Sequence, residues 1–212
     1  MSEHAPDTQD TPKPSTHDEI NPARRKLTGA ALGVAAVFTL ASRPVWANQC
    51  TISGMASGNL SAPPGPPCGG CTPGYWSKCQ HMDSWVATGF KPEDSFNTVF
   101  GVTQYISPRT NKPYTLLQVM GLQGKGNCAP DPVQPNCSRN PNGLAIGRIG
   151  CDPVSVNLGF HAVAALLNAG HPNVNYGYTP GELTELFRSN LHRAAELKDS
   201  LAMLNERSCP LN

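Results

Sequence analysis

Eight cysteines constrain this 212-residue chain more than any other feature. An even number of cysteines, all downstream of an apolar N-terminal run, predicts a disulfide framework formed in an oxidising compartment. Spacing alone leaves the connectivity open, because eight thiols can pair in many ways. The cysteines are Cys50, Cys68, Cys71, Cys79, Cys128, Cys137, Cys151 and Cys209.

The N-terminal segment predicts a disordered leader followed by a signal peptide. Residues 1–23 are polar and cannot bury enough surface to offset the entropy of ordering. Residues 24–47 combine a basic start, a short uncharged run and a small-residue exit at Ala47, which is typical of a cleaved secretory signal. The paired arginines resemble a twin-arginine signal, with an ordinary secretory signal as the alternative. We therefore expect a periplasmic, extracellular or cell-surface bacterial protein without a permanent membrane span.

The remainder of the chain divides into a linker and one domain. Residues 48–67 are rich in Ser, Gly and Pro and favour an extended tether. Residues 68–212 predict a single, small, mainly α-helical domain that is loop-rich and braced by disulfides, with an inserted loop at 121–152. A net charge of +1 makes nucleic acid an unsuitable partner, and nothing in the sequence indicates the oligomeric state.

Helix signals recur through this domain. Phe96–Phe100 has the apolar spacing of a short helix, and Thr115–Gln118 and Thr179–Glu182 each have the form of a capping box. Leu158–Ala169 is apolar over most of its circumference, so we expect it to lie centrally. A last helical stripe is formed by Leu197, Leu201 and Leu204. The final two helices are predicted to pack against the stretch from Cys68 to Trp85.

That stretch, which we call the Cys68–Trp85 stretch, holds the residues of a candidate zinc site. Tetrahedral zinc would accept Cys68, Cys71, Cys79 and His81, but the spacing is irregular and exported thiols are more often oxidised than metallated. We expect no cofactor, with structural zinc as the alternative. A redox role for the Cys68-Gly-Gly-Cys71 pair requires a βαβ setting that the surrounding Pro and Gly loops do not offer. Bonds to distant cysteines such as Cys50 or Cys209 are the preferred interpretation.

Catalytic candidates are few. His81 with Asp83, or His161 on the central helix, could supply a general base, but no nucleophile or metalloprotease motif accompanies them. The alternative places His161 inside the helical core.

Three aromatic residues are the ligand-binding candidates. Tyr75, Trp76 and Trp85 could form a stacking wall for a sugar ring. The alternative is that the two tryptophans are core residues beside a disulfide.

Several motifs resemble a known family. Cys71-Thr-Pro-Gly-Tyr-Trp76, followed by His81 and Trp85, is similar to the C-T-P-G-Y-W-K-N-H signature of a family of secreted bacterial proteins and modules of uncharacterised function. The remaining similar blocks, in the same order, are Phe96–Gly101, Thr115–Gln118, His161–Asn168 and Cys209–Asn212. The resemblance covers 68–212. The chain departs from the pattern at Ser77–Gln80 and in the loop from Cys128 to Cys151, which implies that Cys79 and the loop cysteines bond to one another.

These patterns favour an exported, non-enzymatic binding or surface-associated module. An envelope or extracellular partner is expected, either a carbohydrate or another component such as a protein. Two alternatives remain open: a small secreted hydrolase that uses His81 and His161, and a zinc-binding accessory protein.

Overall fold

A computed structural model of the chain describes residues 50–57, 66–124 and 137–212. The predicted leader and signal peptide, part of the linker, and Cys128 lie outside these residues. The described elements, in chain order, are α1 (Ile52–Ser57), α2 (Pro73–Trp76), a 3-10 segment (Cys79–Thr88), α3 (Phe96–Phe100), α4 (Leu116–Met120), α5 (Leu158–Gly170), α6 (Pro180–Ser189), a 3-10 turn (Leu191–Arg193) and α7 (Ala194–Asn205). Between the described residues, β pairing is limited to isolated bridges. The prediction of a mainly α fold is confirmed.

Local capping explains where the predicted helices begin. Thr115 and Thr179 each accept a hydrogen bond from the backbone three residues on, and Gln118 and Glu182 return the bond, so both predicted capping boxes are present. The Ser95 side chain caps α3 by accepting a hydrogen bond from the backbone N–H of Thr98. Gly101 ends that helix in the left-handed conformation at φ 63°.

Helix α5 forms the centre of the fold, as its apolar circumference predicts. Residues 162–168 are all buried, and the helix packs against α2, the 3-10 segment, α4, α6 and α7. The prediction that the final two helices pack against the Cys68–Trp85 stretch needs correction: α5 contacts α2 and the 3-10 segment, whereas α6 packs on α3. Helix α7 meets the stretch at Gly70. The apolar stripe on α6 therefore packs against α5 and against α3, where Phe187 contacts Phe96 and Phe100.

Part of the predicted tether is folded. Residues 52–57 form α1 instead of an extended strap, and Cys50 and Ile52 are buried. The backbone N–H of Ile52 donates to the Tyr178 hydroxyl at 3.0 Å. Gly177, at φ 95°, allows this approach, because a Cβ at that position would lie 2.7 Å from Cys50. One isoleucine and one cysteine in a Ser/Gly-rich run thus dock the segment.

Three disulfides join described residues: Cys50–Cys68, Cys71–Cys209 and Cys79–Cys137. Cys151 is disulfide-bonded as well. The prediction of a disulfide-bonded protein is confirmed. The Cys79–Cys137 bond joins residues 137–152 of the predicted loop to the 3-10 segment. Ile146 and Ile149 of the same loop lie in the core. In the part of the chain that the structure describes, no helix is both long enough and apolar enough to cross a membrane.

Candidate functional site

The cysteines of the Cys68–Trp85 stretch are structural. Cys68 and Cys71 do not bond to each other; each bonds to the distant cysteine that the sequence suggests, Cys50 and Cys209 respectively. Cys79 bonds to Cys137 in the loop, as the departure from the family pattern implies. A zinc site requires thiolate sulfurs, and all three of these sulfurs are oxidised. Among the described residues, no group of three or more His, Cys, Asp or Glu side chains is arranged to hold a metal.

The glycines between Cys68 and Cys71 have a steric purpose. A Cβ on Gly70 would lie 2.2 Å from the Leu204 carbonyl oxygen at the end of α7, and one on Gly69 would lie 3.3 Å from Pro210. At Gly70 only glycine lets the backbone pass this close to another chain segment, whereas the contact at Gly69 is merely tight. The backbone from Cys68 to Cys71 therefore crosses the end of α7 at close range, and two disulfides hold it there. The two cysteines do not form a redox pair.

The three aromatic ligand candidates are buried. Trp76 is 0% exposed, Trp85 1% and Tyr75 7%. The Trp85 indole N–H donates to the Trp76 carbonyl at 3.1 Å, and the Trp76 indole N–H donates to Asn168 Oδ1 at 3.1 Å. Both tryptophans are thus hydrogen-bonded core residues, which is the alternative that the sequence left open. Their burial does not support the prediction that they form a stacking wall at the surface.

Asn168 connects this stretch to the helices. Its Oδ1 accepts from the backbone N–H of Cys71 at 2.9 Å, and its Nδ2 donates to the Cys71 carbonyl at 2.8 Å and to Asn205 Oδ1 at 3.0 Å. Tyr176 donates to the same Asn205 oxygen at 2.9 Å, and Asn205 donates to the His161 carbonyl at 2.9 Å. Asn168 and Asn205 are fully buried, so each amide depends on these partners. The network fixes α2, α5 and α7 relative to one another.

The 3-10 segment presents a regular outer face. With about three residues per turn, Met82, Trp85 and Thr88 fall on the inner face, and the last two are buried. Gln80, Asp83 and Val86 fall on the opposite face and are all exposed, Val86 by 83%. This arrangement was not predictable from helical or strand periods, because its residues repeat every three positions.

Between these two faces lies a stacked pair of rings. The imidazole of His81 lies on the ring of Tyr75, with centroids 3.8 Å apart and planes inclined by 19°. The Tyr75 hydroxyl bonds with Ser84 Oγ at 3.0 Å and donates to the Leu211 carbonyl at 3.5 Å. Nε2 of Gln80 donates to Nε2 of His81 at 2.9 Å. We call Tyr75, Gln80, His81, Asp83 and Ser84 the His81 cluster.

His81 and Asp83 do not form the dyad that a general base would need. The Asp83 carboxylate accepts from the backbone N–H of Ser84 at 2.9 Å, while the His81 ring is bonded to Gln80. Partial burial and the charge of Lys78 lower the pKa of His81, against a smaller opposing effect of Asp83. His81 is therefore neutral at physiological pH and accepts a hydrogen bond at Nε2.

His161 lies away from this cluster in the sequence and in its contacts. It is half-buried on α5, its ring touches Phe160, and its buried Nδ1 has no hydrogen-bond partner within the described residues. Burial, and then the charge of Lys198, lower the pKa of His161 to about 4, although Asp199 opposes the shift. The neutral ring fits the core position that was the alternative to a catalytic role. The two histidines have different neighbours: the ring of His81 contacts Tyr75 and Gln80, and the ring of His161 contacts Phe160.

Asp152 is a partly buried acid that no sequence pattern indicated. Its carboxylate accepts from the backbone N–H groups of Gly159 at 2.6 Å and Val154 at 3.0 Å, and from the Tyr105 hydroxyl at 3.2 Å. Burial raises the pKa of Asp152 despite these donors. Asn157, the N-cap of α5, makes no side-chain cap bond, so Asp152 supplies the acceptor for this helix start. Asp152 lies seven residues before Gly159, whereas the residues of a capping box are three apart, so the capping-box pattern does not detect it.

Comparison with known proteins found no matching family model, no matching curated protein and no matching solved structure. The resemblance to the secreted bacterial family stays a prediction.

Proposed function

We propose that this protein is an exported, non-enzymatic carbohydrate-binding module whose ligand face is the His81 cluster with the outer side of the 3-10 segment. Several disulfides and the lack of a membrane-spanning helix in the described residues are consistent with export. The twin-arginine route and attachment to the cell envelope belong to the same proposal.

The observation that carries the proposal is the combination of exposed polar side chains with the stacked rings of Tyr75 and His81 on one surface. An exposed amide at Gln80 and an exposed carboxylate at Asp83 flank the imidazole of His81. Sugar hydroxyls need donors and acceptors of this kind, and the apolar face of a sugar ring needs a planar partner. The Cys79–Cys137 bond at the start of the segment limits its motion, which lowers the entropy cost of binding.

A ligand class is best identified by depletion. The mature protein would be incubated with insoluble cellulose, chitin and peptidoglycan, and the protein left in solution would be measured. The double variant Gln80→Ala/Asp83→Ala should weaken retention by about tenfold or more, since each lost hydrogen bond is worth roughly 1 kcal/mol.

A matched control removes the same chemistry elsewhere. Gln104 and Glu93 are both exposed and lie outside the His81 cluster, so Gln104→Ala/Glu93→Ala should retain wild-type binding. Equal weakening by the two double variants would place the ligand elsewhere. Failure of all three polysaccharides to deplete the wild-type protein would argue against a carbohydrate ligand.

A further inference from the structure

The ring of Tyr75 is held rigidly from one side and covered from the other. Its hydroxyl is bonded to Ser84 and to the Leu211 carbonyl, and Trp76 meets the ring edge-on, with centroids 5.2 Å apart and planes at 86°. The adjacent Cys71–Cys209 bond and the Thr72 cap of α2 fix the backbone that carries it. The ring of His81 lies parallel to Tyr75 and covers a face of it. Tyr75 is thus a preorganised planar surface that is 7% exposed.

The covering ring is held much less firmly than the ring it covers. His81 is only partly buried, and its ring is hydrogen-bonded to the exposed side chain of Gln80. Exposed side chains change rotamer within picoseconds to nanoseconds. An aromatic stacking contact is worth about 0.5–1.5 kcal/mol beyond its area burial. A ligand that stacks on Tyr75 can therefore displace the imidazole at small cost.

We infer that His81 occupies, in the free protein, the position that a sugar ring takes in the complex, and that Tyr75 is the stacking floor of the site. The inference rests on the proposed function and deepens it by naming a neutral pyranose as the ligand unit. A pyranose presents an apolar C–H face that stacks on an aromatic ring at a separation similar to the 3.8 Å between these centroids. Lys78 and Asp83 carry opposite charges beside the floor, which favours a neutral sugar over a charged one.

Displacement of His81 also frees the groups that would bind the hydroxyls. When the imidazole leaves, the Gln80 amide loses its partner and becomes available to the ligand at the edge of the floor. Asp83 accepts from the backbone N–H of Ser84, whose hydroxyl bonds the Tyr75 hydroxyl, so its exposed carboxylate is two hydrogen-bonded steps from the floor. Because only the uncovered form binds, the apparent dissociation constant equals the intrinsic one divided by the fraction of uncovered protein.

Hydroxyl-radical footprinting with mass spectrometry tests, without any ligand, whether the ring of His81 shields Tyr75. In the wild-type protein, Tyr75 should be modified slowly, like the buried Tyr176. In His81→Ala, modification of Tyr75 should rise several-fold, while Tyr176 stays protected and reports that the fold is intact. His192→Ala is the matched control, because His192 is an exposed histidine on another element. Unchanged modification of Tyr75 in His81→Ala would overturn the inference.

The second measurement is affinity for cellohexaose and N-acetylchitohexaose. One of the two should bind to the wild-type protein. For that oligosaccharide, the affinity of His81→Ala should be about three- to tenfold higher than that of the wild type, which is the factor that corresponds to the stacking contact. His81→Phe keeps a ring on Tyr75 and should bind this oligosaccharide more weakly than His81→Ala does. These oligosaccharides should also restore protection of Tyr75 in His81→Ala.

The outcomes separate the two proposals. Weaker binding by His81→Ala, with Tyr75 exposed, would make His81 itself a ligand contact; the inference then fails and the carbohydrate-binding proposal stands. Binding of neither oligosaccharide by the wild type or by His81→Ala, together with no retention on polysaccharide, would overturn both.

Discussion

The side-chain amide of Asn168 pairs with both backbone groups of Cys71, accepting from its N–H at 2.9 Å and donating to its carbonyl at 2.8 Å. This is the pairing that a neighbouring β-strand would supply, provided here by one side chain on a helix. It holds an irregular segment against α5 where no strand is available. The Cys68–Trp85 stretch is therefore positioned by a side chain as well as by its disulfides.

Replacement of Asn168 should be among the most damaging single changes. Asn168→Ala leaves the Cys71 N–H, the Cys71 carbonyl and the Trp76 indole N–H buried without their partner, so we expect a loss of about 3–5 kcal/mol in the free energy of unfolding. Urea denaturation followed by tryptophan fluorescence measures it.

Asn168→Asp distinguishes the donor role from the acceptor role. The carboxylate can still accept from Cys71 and Trp76, but it cannot donate to the Cys71 carbonyl or to Asn205, and it adds a buried charge. It should therefore be no more stable than Asn168→Ala. Asn173 is exposed, and Asn173→Ala is the control that should change little. Wild-type stability in Asn168→Asp would show that the two donated bonds contribute nothing.

The crossing at Gly70 predicts a second sensitive position. A Cβ there would lie 2.2 Å from a backbone oxygen of α7, which cannot move without shifting the helix end. Gly70→Ala should lower the free energy of unfolding by about 2–4 kcal/mol. A matched control is Gly181→Ala in α6, where nothing lies within 4 Å of the added methyl group, and it should be neutral or stabilising by about 0.5 kcal/mol. Similar thermal midpoints for the two variants would contradict the packing argument.

The helices were predictable because their signals are local. Thr115 and Thr179 meet their capping partners three residues on, and the stripe of α5 repeats within one helix, so a short window contains the whole pattern. The folding of 52–57 was not predictable, because α1 is held by Tyr178, which lies 126 residues away in the sequence.

The site was less predictable than the fold because its determinants are long-range. Trp76 has the composition of a ligand-binding residue, and only its bond to Asn168, across 92 residues, shows that it faces the core. Tyr75 and His81 are close in sequence, but their stacking depends on the 3-10 geometry of the segment between Cys79 and Thr88. The residue types indicated that the Cys68–Trp85 stretch holds the candidate site. Tertiary contacts determine which of its side chains are accessible.

The disulfides should differ in their effect on stability. Cys71–Cys209 joins residues 138 apart, and Cys50–Cys68 joins residues 18 apart. Loop-closure entropy predicts that the first stabilises the fold by about 5 kcal/mol and the second by about 3 kcal/mol. Cys71→Ala/Cys209→Ala should therefore have a lower denaturation midpoint than Cys50→Ala/Cys68→Ala. Each pair includes one buried cysteine, so the packing losses are comparable. The reverse order would show that local docking of α1 outweighs loop closure.

Burial of His161 predicts that stability falls in mild acid. In the folded protein the pKa of His161 is about 4, because burial and Lys198 disfavour the charged ring, against an ordinary value of 6.5. Between pH 6.5 and pH 4 the unfolded chain therefore binds a proton that the folded protein does not. The contribution of His161 to the free energy of unfolding should fall by about 3 kcal/mol as the pH is lowered through this window, and it should be constant above it.

Urea titrations at several pH values across this window measure the effect in the wild type and in His161→Leu. The variant should lose most of the acid-dependent decrease; the lowered pKa values of His81 and His171 leave a slope of the same sign, and the raised pKa of Asp152 opposes it. At neutral pH it should be at least as stable as the wild type, because leucine fills the site and removes the buried Nδ1 that has no partner. His192→Leu, at an exposed histidine, is the control that should keep the wild-type profile. An unchanged pH profile in His161→Leu would mean that His161 takes up its proton at the same pH in the folded protein as in the unfolded chain, and so that its ring is accessible to solvent or paired with Asp199.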